Sequence, residues 1–131
     1  MRVLLVRHAE AAPGQPDELR PLTAQGREQA RALGERLRGD GLVPDAVLTS
    51  PLLRARETAA TLDLGSPAVD DRLAPGATAA AVRDAAGGRG ETVLVVAHQP
   101  DCGRVAAAFS GGPEPAFPPC GLAVLDVDGG A

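Results

Sequence analysis

The chain has 131 residues with a net charge of −4, and its 13 basic residues form no polybasic run. The chain contains two Phe and no Trp or Tyr. With so few aromatic residues and no basic run, the composition argues against a nucleic-acid-binding or membrane-surface protein. The length fits one domain, and no apolar run approaches the roughly 20 residues that cross a bilayer. We therefore expect a single domain over residues 1–131. We expect it to be cytoplasmic and monomeric, with no nucleic-acid or membrane partner.

Four apolar runs predict β-strands, at residues 3–6, 45–48, 92–97 and 122–127. The first run is too short for a secretory signal and is interrupted by Arg7. The first and third runs lack polar alternation, which is typical of parallel strands covered by helices on both faces. The last run follows a loop and alternates partly, so we expect an antiparallel edge strand there. Residues 128–130 (DGG) then predict a turn.

Helical patterns lie between these strands. Gly34 interrupts the first pattern and weakens it slightly. Residues 11–21 and 111–119 are rich in Pro and Gly and are expected to be loops. Strands that alternate with helices predict an α/β three-layer sandwich with a central, mostly parallel sheet. The predicted helices run from an N-cap at Thr23 to Gly39, from an N-cap at Ser50 with Pro51 first to Leu62, from Thr78 to Ala86, and from Asp101 to Phe109.

The two histidines of the chain occupy equivalent places. His8 comes directly after the first strand and His98 directly after the third. In open α/β sheets, ligands bind at the carboxyl ends of the strands. Arg7 adjoins His8, and Arg54 lies in the first turn of the helix after the second strand, so both guanidiniums are expected at the same edge. The N-terminus of that helix adds free backbone N–H groups.

This combination predicts a site for a tetrahedral oxyanion. Arginine supplies planar donors that match phosphate oxygens. An imidazole can act as a nucleophile and carry a phosphoryl group covalently, but spacing alone does not say which histidine does so. Arg56, next to Arg54 on the same helix, is the natural control for any role given to Arg54.

Short motifs in chain order resemble those of one enzyme family. Residues 7–10 (RHAE) resemble the signature of the histidine phosphatase superfamily, the phosphoglycerate-mutase-like group. Residues 20–23 (RPLT) and 49–55 (TSPLLRA) are similar to the first-helix and second-arginine motifs of its smaller, SixA-type phosphohistidine phosphatases. Residues 97–101 (AHQPD) resemble the second-histidine motif. The motifs match in order and spacing over nearly the whole chain, although Ala9 and Ala97 replace glycines that are frequent in the family.

The resemblance implies a phosphoglycerate-mutase-like fold and a phosphatase that works without a metal or organic cofactor. By it, His8 is the nucleophile that becomes phosphohistidine, and Arg7, Arg54 and His98 bind the phosphoryl group. The implied substrate is phosphohistidine on a protein partner, or a phosphoramidate. Two alternatives stay open: a phosphatase for a small phosphate monoester that uses the same residues, and a module that binds phosphate without turnover. The presence of all four residues argues against the module.

A general acid is not evident. Larger members of the superfamily place a glutamate in an inserted segment between the second arginine and the second histidine, and that segment is short here. Asp70 and Asp71 are expected to be turn residues, and Glu10 a carboxylate that orients its neighbours. Cys102 and Cys120 form no CxxC pattern, so we expect two reduced thiols in or near the core rather than a zinc site.

Overall fold

The computed structural model describes residues 1–127, so the turn predicted at residues 128–130 lies outside the described residues. It contains two short 3-10 helices, Asp17–Leu19 and Asp71–Leu73. The strands are β1 (Arg2–Arg7), β2 (Ala46–Thr49), β3 (Pro67–Val69), β4 (Thr92–Ala97) and β5 (Leu122–Asp126). The α-helices are α1 (Ala24–Gly39), α2 (Leu53–Leu62), α3 (Ala79–Ala86) and α4 (Asp101–Ser110).

One five-stranded sheet organises the chain, with the strand order β3-β2-β4-β1-β5. β1, β2, β3 and β4 are parallel to one another, and β5 runs antiparallel to β1 at the edge. The two unbroken apolar runs, β1 and β4, are neighbours at the centre of the sheet, in register from Arg2 opposite Thr92 to Arg7 opposite Ala97. The predicted mostly parallel α/β sheet and its antiparallel edge strand are therefore confirmed.

Both faces of the sheet are covered by helices, which explains the missing alternation in β1 and β4. Alternate residues of β1 and β4, such as Leu4 and Leu94, pack against α1 and α2 on one face. The residues between them, such as Leu5 and Val95, pack against α3 and α4 on the other face. The predicted three layers are confirmed. Within residues 1–127, no helix has the length and apolar character that a bilayer crossing requires.

The structure corrects two expectations. The sequence pattern missed β3, which has only three residues and begins at Pro67 on the outer edge of the sheet, where a residue without an N–H is tolerated. The second helix begins at Leu53 rather than at Pro51, and its N-cap residue, Leu52, has no side-chain cap. Ser50 is not the N-cap residue because the N-cap position lies two residues later; its hydroxyl accepts from the Leu52 N–H and is also bonded to a residue beyond β4, described below. The other three helices begin and end within one residue of the predicted positions.

Gly34 lies where α1 crosses α2. A Cβ at this position would overlap the Leu62 carbonyl of α2, so the missing side chain is what lets the two helices approach. We expect Gly34→Ala to destabilise the protein by about 2 kcal/mol, since overpacking against a fixed backbone outweighs the better helix propensity of alanine. Gly39→Ala is the matched control, because nothing lies within 4 Å of its Cβ. Urea unfolding of both variants tests this, and a Gly34→Ala protein as stable as Gly39→Ala would contradict it.

Candidate active site

The two histidines lie side by side at one edge of the sheet. β1 and β4 are adjacent and parallel, with Arg7 opposite Ala97, so the next residue of each strand is a histidine. The rings of His8 and His98 have centroids 5.2 Å apart and are tilted by 57°. The two histidines, which the sequence places at equivalent strand ends, are therefore direct neighbours in the structure.

The main chain fixes both the position and the protonation of His8. Its backbone N–H donates to the Ala97 carbonyl at 3.0 Å, and its carbonyl accepts from the Cys120 N–H at 3.1 Å. Its Nδ1 lies 2.7 Å from the Ala9 carbonyl oxygen. A carbonyl only accepts, so Nδ1 carries the hydrogen, and in the neutral ring Nε2 keeps a free lone pair. The ring is thus held in the tautomer that a nucleophile at Nε2 requires.

His98 is buried and is held by the hydroxyl of Ser50. Its Nε2 lies 2.7 Å from Ser50 Oγ, and Ser50 Oγ also accepts from the Leu52 N–H at 3.2 Å. Ser50 is fully buried, and His98 Nε2 is the acceptor that the described residues offer to its hydroxyl hydrogen, so the hydroxyl donates to His98 Nε2. In a neutral ring the remaining hydrogen then lies on His98 Nδ1, a buried atom with no hydrogen-bond partner among residues 1–127. His98 therefore offers an unused N–H donor.

Two arginines flank the histidines. Arg7 Nη1 donates to the Phe117 carbonyl at 2.8 Å, and its buried Nε has no partner within the described part of the chain. Arg54 is only 7% exposed and lies in the first turn of α2. Thr58 ties α2 to the end of β1, because its Oγ1 donates to the Arg54 carbonyl at 2.8 Å and accepts from the Ala9 N–H at 2.9 Å. The structure thus brings all four predicted residues to one edge of the sheet.

The surroundings favour neutral imidazoles. The pKa of His8 lies below its usual value, first because of burial and then because of the positive charges of Arg54, Arg7 and Arg20, although the Ala9 carbonyl opposes the shift. Burial, followed by the charges of His8 and Arg54, lowers the pKa of His98 to about 3. A neutral His8 has the free lone pair that nucleophilic attack needs.

The lowered pKa of His98 predicts a loss of stability in acid. The unfolded chain takes up a proton on this histidine near pH 6.5, whereas the folded protein does so only near pH 3. Between these values the unfolded state binds more protons, so the free energy of unfolding should fall as the pH falls. We expect this dependence to be shallower in His98→Asn when urea unfolding is followed from pH 7 to pH 4.5. Equal slopes in the two proteins would contradict the buried, neutral His98.

The carboxylates that the sequence offered as acids are engaged elsewhere. Glu10 Oε1 accepts from Thr23 Oγ1 at 2.9 Å, beside the N-terminus of α1. Asp70 caps the second 3-10 helix and binds the Arg72 guanidinium at 2.7 Å, which is the leading reason why its pKa is lowered. Asp71 is an exposed residue of that 3-10 helix. Their structural positions match the expected turn and orienting roles.

Sequence reasoning missed two polar residues at the site. Ser50 had been interpreted only as a helix cap. Asp17 lies in the first 3-10 helix, and its carboxylate binds Arg54 Nη2 at 3.2 Å while its carbonyl accepts from Arg54 Nη1 at 2.9 Å. The loop 11–21 has no periodic pattern, so the sequence gives no direct signal for this contact. Asp17 and Arg20 form an i,i+3 ion pair at 3.0 Å. Their spacing in the sequence is a hint of local structure in this loop.

The two cysteines are both free. Burial raises the pKa of the Cys102 thiol to about 12 and that of Cys120 to about 11. Cys102 belongs to α4 and is buried in the core, whereas Cys120 is partly buried, so the expected placement of both thiols in or near the core is confirmed. Among residues 1–127, no three His, Cys, Asp or Glu side chains cluster in a way that could hold a metal ion.

Comparisons with known proteins show which family and which relatives this chain resembles. The model of the histidine phosphatase superfamily (branch 1) matches residues 3–75. The phosphohistidine phosphatase SixA of Escherichia coli K12 is 33% identical over 125 residues, which cover 88% of this chain and 78% of that protein. An uncharacterized protein of Picosynechococcus sp. is 37% identical over 123 residues, or 86% of this chain and 74% of that one.

Solved structures show the same relationship in three dimensions. The structure of the protein histidine phosphatase SixA complexed with tungstate superposes with a TM-score of 0.88 and 29% identity, covering 98% of this chain and 89% of that one. A phosphoserine phosphatase from Entamoeba histolytica shares the fold at a TM-score of 0.73 and 15% identity, covering 94% and 89% of the two chains. On its sequence and its fold, the chain belongs to the histidine phosphatase superfamily and is a phosphatase of that superfamily.

Proposed function

We propose that this phosphatase hydrolyses phosphohistidine carried by a partner protein, through a phosphoryl group transferred to His8. One observation carries the proposal: beside the free Nε2 of His8, two buried N–H groups, Arg7 Nε and His98 Nδ1, have no partner among residues 1–127. Buried polar groups are almost always bonded in folded proteins. Two unsatisfied donors next to a nucleophile are accounted for by an oxyanion substrate.

The reaction has two steps. The His8 Nε2 lone pair forms a bond to phosphorus while the P–N bond of the substrate breaks, and the electron pair of that bond goes to the departing imidazole. Water then attacks the phosphorus on His8 and gives up a proton to solvent, while the P–Nε2 bond breaks and its electron pair returns to Nε2 as phosphate leaves. Arg7, Arg54 and His98 stabilise the charge on the phosphoryl oxygens in both transition states, the largest catalytic contribution in phosphoryl transfer.

The ionised state of two candidate acids, Asp17 and Asp70, supports a P–N substrate over an alkyl ester. An alkoxide needs a positioned proton donor, worth about 10² to 10⁴ in rate, and such a donor has a raised pKa. The pKa values of Asp17 and Asp70 are both lowered, first by their hydrogen bonds to Arg20 and Arg72 respectively, so both carboxyls are ionised at neutral pH. A phosphohistidine ring that is protonated on its other nitrogen leaves as neutral imidazole without such a donor, because the conjugate acid of imidazole titrates near pH 6.5.

The surroundings of the site also suit a protein-borne substrate. Between α2 and β4 the chain forms only β3, one turn of 3-10 helix and α3. α3 packs on the face of the sheet through Val82, Ala85 and Ala86. His8 is half-buried rather than enclosed. The similarity to the SixA phosphohistidine phosphatase of E. coli, over 88% of this chain, points to the same substrate class. A cytoplasmic location, a monomeric state and independence from metals remain predictions.

A comparison of substrates tests this proposal. kcat/KM should be measured for a phosphohistidine-bearing protein, phosphoramidate, p-nitrophenyl phosphate and a panel of sugar phosphates, with and without a chelator. We expect the P–N substrates to react at least about 10² faster than any unactivated alkyl phosphate, and the chelator to have no effect, because arginines neutralise the phosphoryl charge. A sugar phosphate as the best substrate would favour the small-molecule alternative, and loss of activity with the chelator would show a metal requirement.

Ser50 gives a separate prediction within this proposal. Its hydroxyl holds His98 in the tautomer that directs N–H toward the phosphoryl group, and groups that fix a tautomer in this way are worth roughly 10- to 100-fold in activity. Ser50→Ala should therefore lower kcat/KM by about that factor, while Ser66→Ala, at an exposed loop position, should not. Equal kcat/KM values for Ser50→Ala and Ser66→Ala would contradict the role given to the Ser50 hydroxyl.

A further inference from the structure

Asp17 occupies an unexpected place for a carboxylate in a site for phosphate. Its Oδ2 is 3.2 Å from Arg54 Nη2 and its Oδ1 is 3.0 Å from Arg20 Nη1. Arg20 is itself fixed, because its Nε donates to the Ala12 carbonyl at 2.8 Å. The carboxylate is therefore held by two guanidiniums on the rim of a site whose other groups, His98 Nδ1 and Arg7 Nε, are donors without partners in the described part of the chain.

Asp17 lies on the solvent side of Arg54. Its side chain is 56% exposed, whereas that of Arg54 is 8% exposed. In phosphoryl transfer the attacking and leaving groups lie roughly in line on opposite sides of phosphorus. With His8 as the nucleophile, the leaving group lies on the side of phosphorus opposite His8, and the 3-10 helix Asp17–Leu19, which has no buried residue, borders the site through the contact of Asp17 with Arg54.

We propose that Asp17 is a specificity-determining residue that accepts a hydrogen bond from the leaving imidazole of phosphohistidine. This inference rests on the proposed function and names the contact that recognises the nitrogen-borne substrate. The phosphorylated ring, protonated on its other nitrogen, is a cation that donates its N–H to the carboxylate. When the P–N bond breaks, its electron pair goes to the ring nitrogen, and neutral imidazole leaves with that hydrogen still attached.

The charge of Asp17 suits this task. Hydrogen bonds from Arg20, followed by the charge of Arg54, lower its pKa, so it is an anion at neutral pH. An anion beside the substrate ring favours the protonated, more easily expelled form of phosphoimidazole. The leaving oxygen of an ester carries no N–H and gains negative charge as it departs, so the same carboxylate disfavours it. Asp17 thus separates P–N from P–O substrates.

Arg54 can bind Asp17 and a phosphoryl group at the same time. Its Nη1 is bonded to the Asp17 carbonyl rather than to the carboxylate, at 2.9 Å. When a phosphoryl oxygen takes Nη2, the backbone contact still holds the guanidinium, and Arg20 still holds the carboxylate. A change at the Asp17 side chain therefore leaves the main-chain support of Arg54 in place, which separates substrate recognition from the simple positioning of Arg54.

The test is Asp17→Asn in the full chain, with Glu18→Gln on the same exposed turn as the control. We expect the ratio of kcat/KM for phosphohistidine to that for p-nitrophenyl phosphate to fall about ten-fold or more in Asp17→Asn and to stay at the wild-type value in Glu18→Gln. The inhibition constant of inorganic phosphate should not rise, because a competing anion has been removed from Arg54. A smaller change of the ratio, or weaker inhibition by phosphate, would show that Asp17 only positions Arg54 and would overturn the proposal.

This outcome is distinct from failure of the proposed function. If the wild-type protein does not hydrolyse phosphohistidine, the proposed substrate class is wrong and the inference about Asp17 fails with it. If the wild type does hydrolyse phosphohistidine and Asp17→Asn lowers both substrates equally, only the role of Asp17 is wrong.

Discussion

Replacing His8 with alanine is expected to abolish turnover, with a loss of at least about 10⁴ in kcat. The variant lacks the nitrogen that forms the covalent bond to phosphorus, and the nearby His98 cannot substitute. The Ser50 hydroxyl occupies Nε2 of that ring and Nδ1 carries the hydrogen, so His98 presents no lone pair to the phosphorus. Steady-state rates on phosphohistidine and on p-nitrophenyl phosphate measure the effect.

Folding is the control for this variant. His8 is half-buried at the end of β1, and its main-chain bonds to Ala97 and Cys120 survive the change, so the melting temperature of His8→Ala should stay close to that of the wild type. A folded His8→Ala protein that retained one per cent of the wild-type rate would refute His8 as the nucleophile.

The second large effect is expected for Arg54→Ala. We expect kcat/KM to fall about 10³-fold. One preorganised donor to a developing oxyanion contributes a rate factor of about 10² to 10³, and an arginine that stabilises the transition state contributes more. Arg54→Lys should recover only part of the activity, because a single ammonium cannot reproduce the paired N–H groups of a guanidinium.

Arg56 provides the matched control. It lies two residues further along α2 and is exposed, so Arg56→Ala removes the same charge from the same helix without reaching the site. Arg56→Ala should keep an activity within a factor of two of the wild type. Similar losses in the two variants would mean that the net charge of this helix matters rather than the position of Arg54.

Much of the site could be predicted because its residues follow directly from regular structure. A histidine that comes after a buried parallel strand must lie at the carboxyl edge of the sheet, and β1 and β4 happen to be neighbours. Arg54 was predictable for the same reason, as a first-turn residue of the helix after β2. Which imidazole attacks was not predictable from spacing, and only the family resemblance selected His8.

The missed features depend on contacts between distant segments. Ser50 precedes a proline and matches a helix cap, yet its hydroxyl bonds His98, which is 48 residues away. Gly34 weakens a helix by local propensity, but its small size is required by the backbone of α2. Asp17 meets Arg54 across 37 residues from a loop that has no pattern. Local preferences carry no information about such tertiary partners.

Trapping the covalent intermediate tests the central claim most directly. Wild-type protein should be mixed with a phosphohistidine-bearing protein, quenched in alkali within milliseconds to preserve P–N bonds, and digested for mass spectrometry. The account predicts one acid-labile phosphoryl group on His8, absent from His8→Ala. A phosphoryl group on His98 or on a hydroxyl side chain, or turnover with no phosphorylated protein at any quench time, would contradict it.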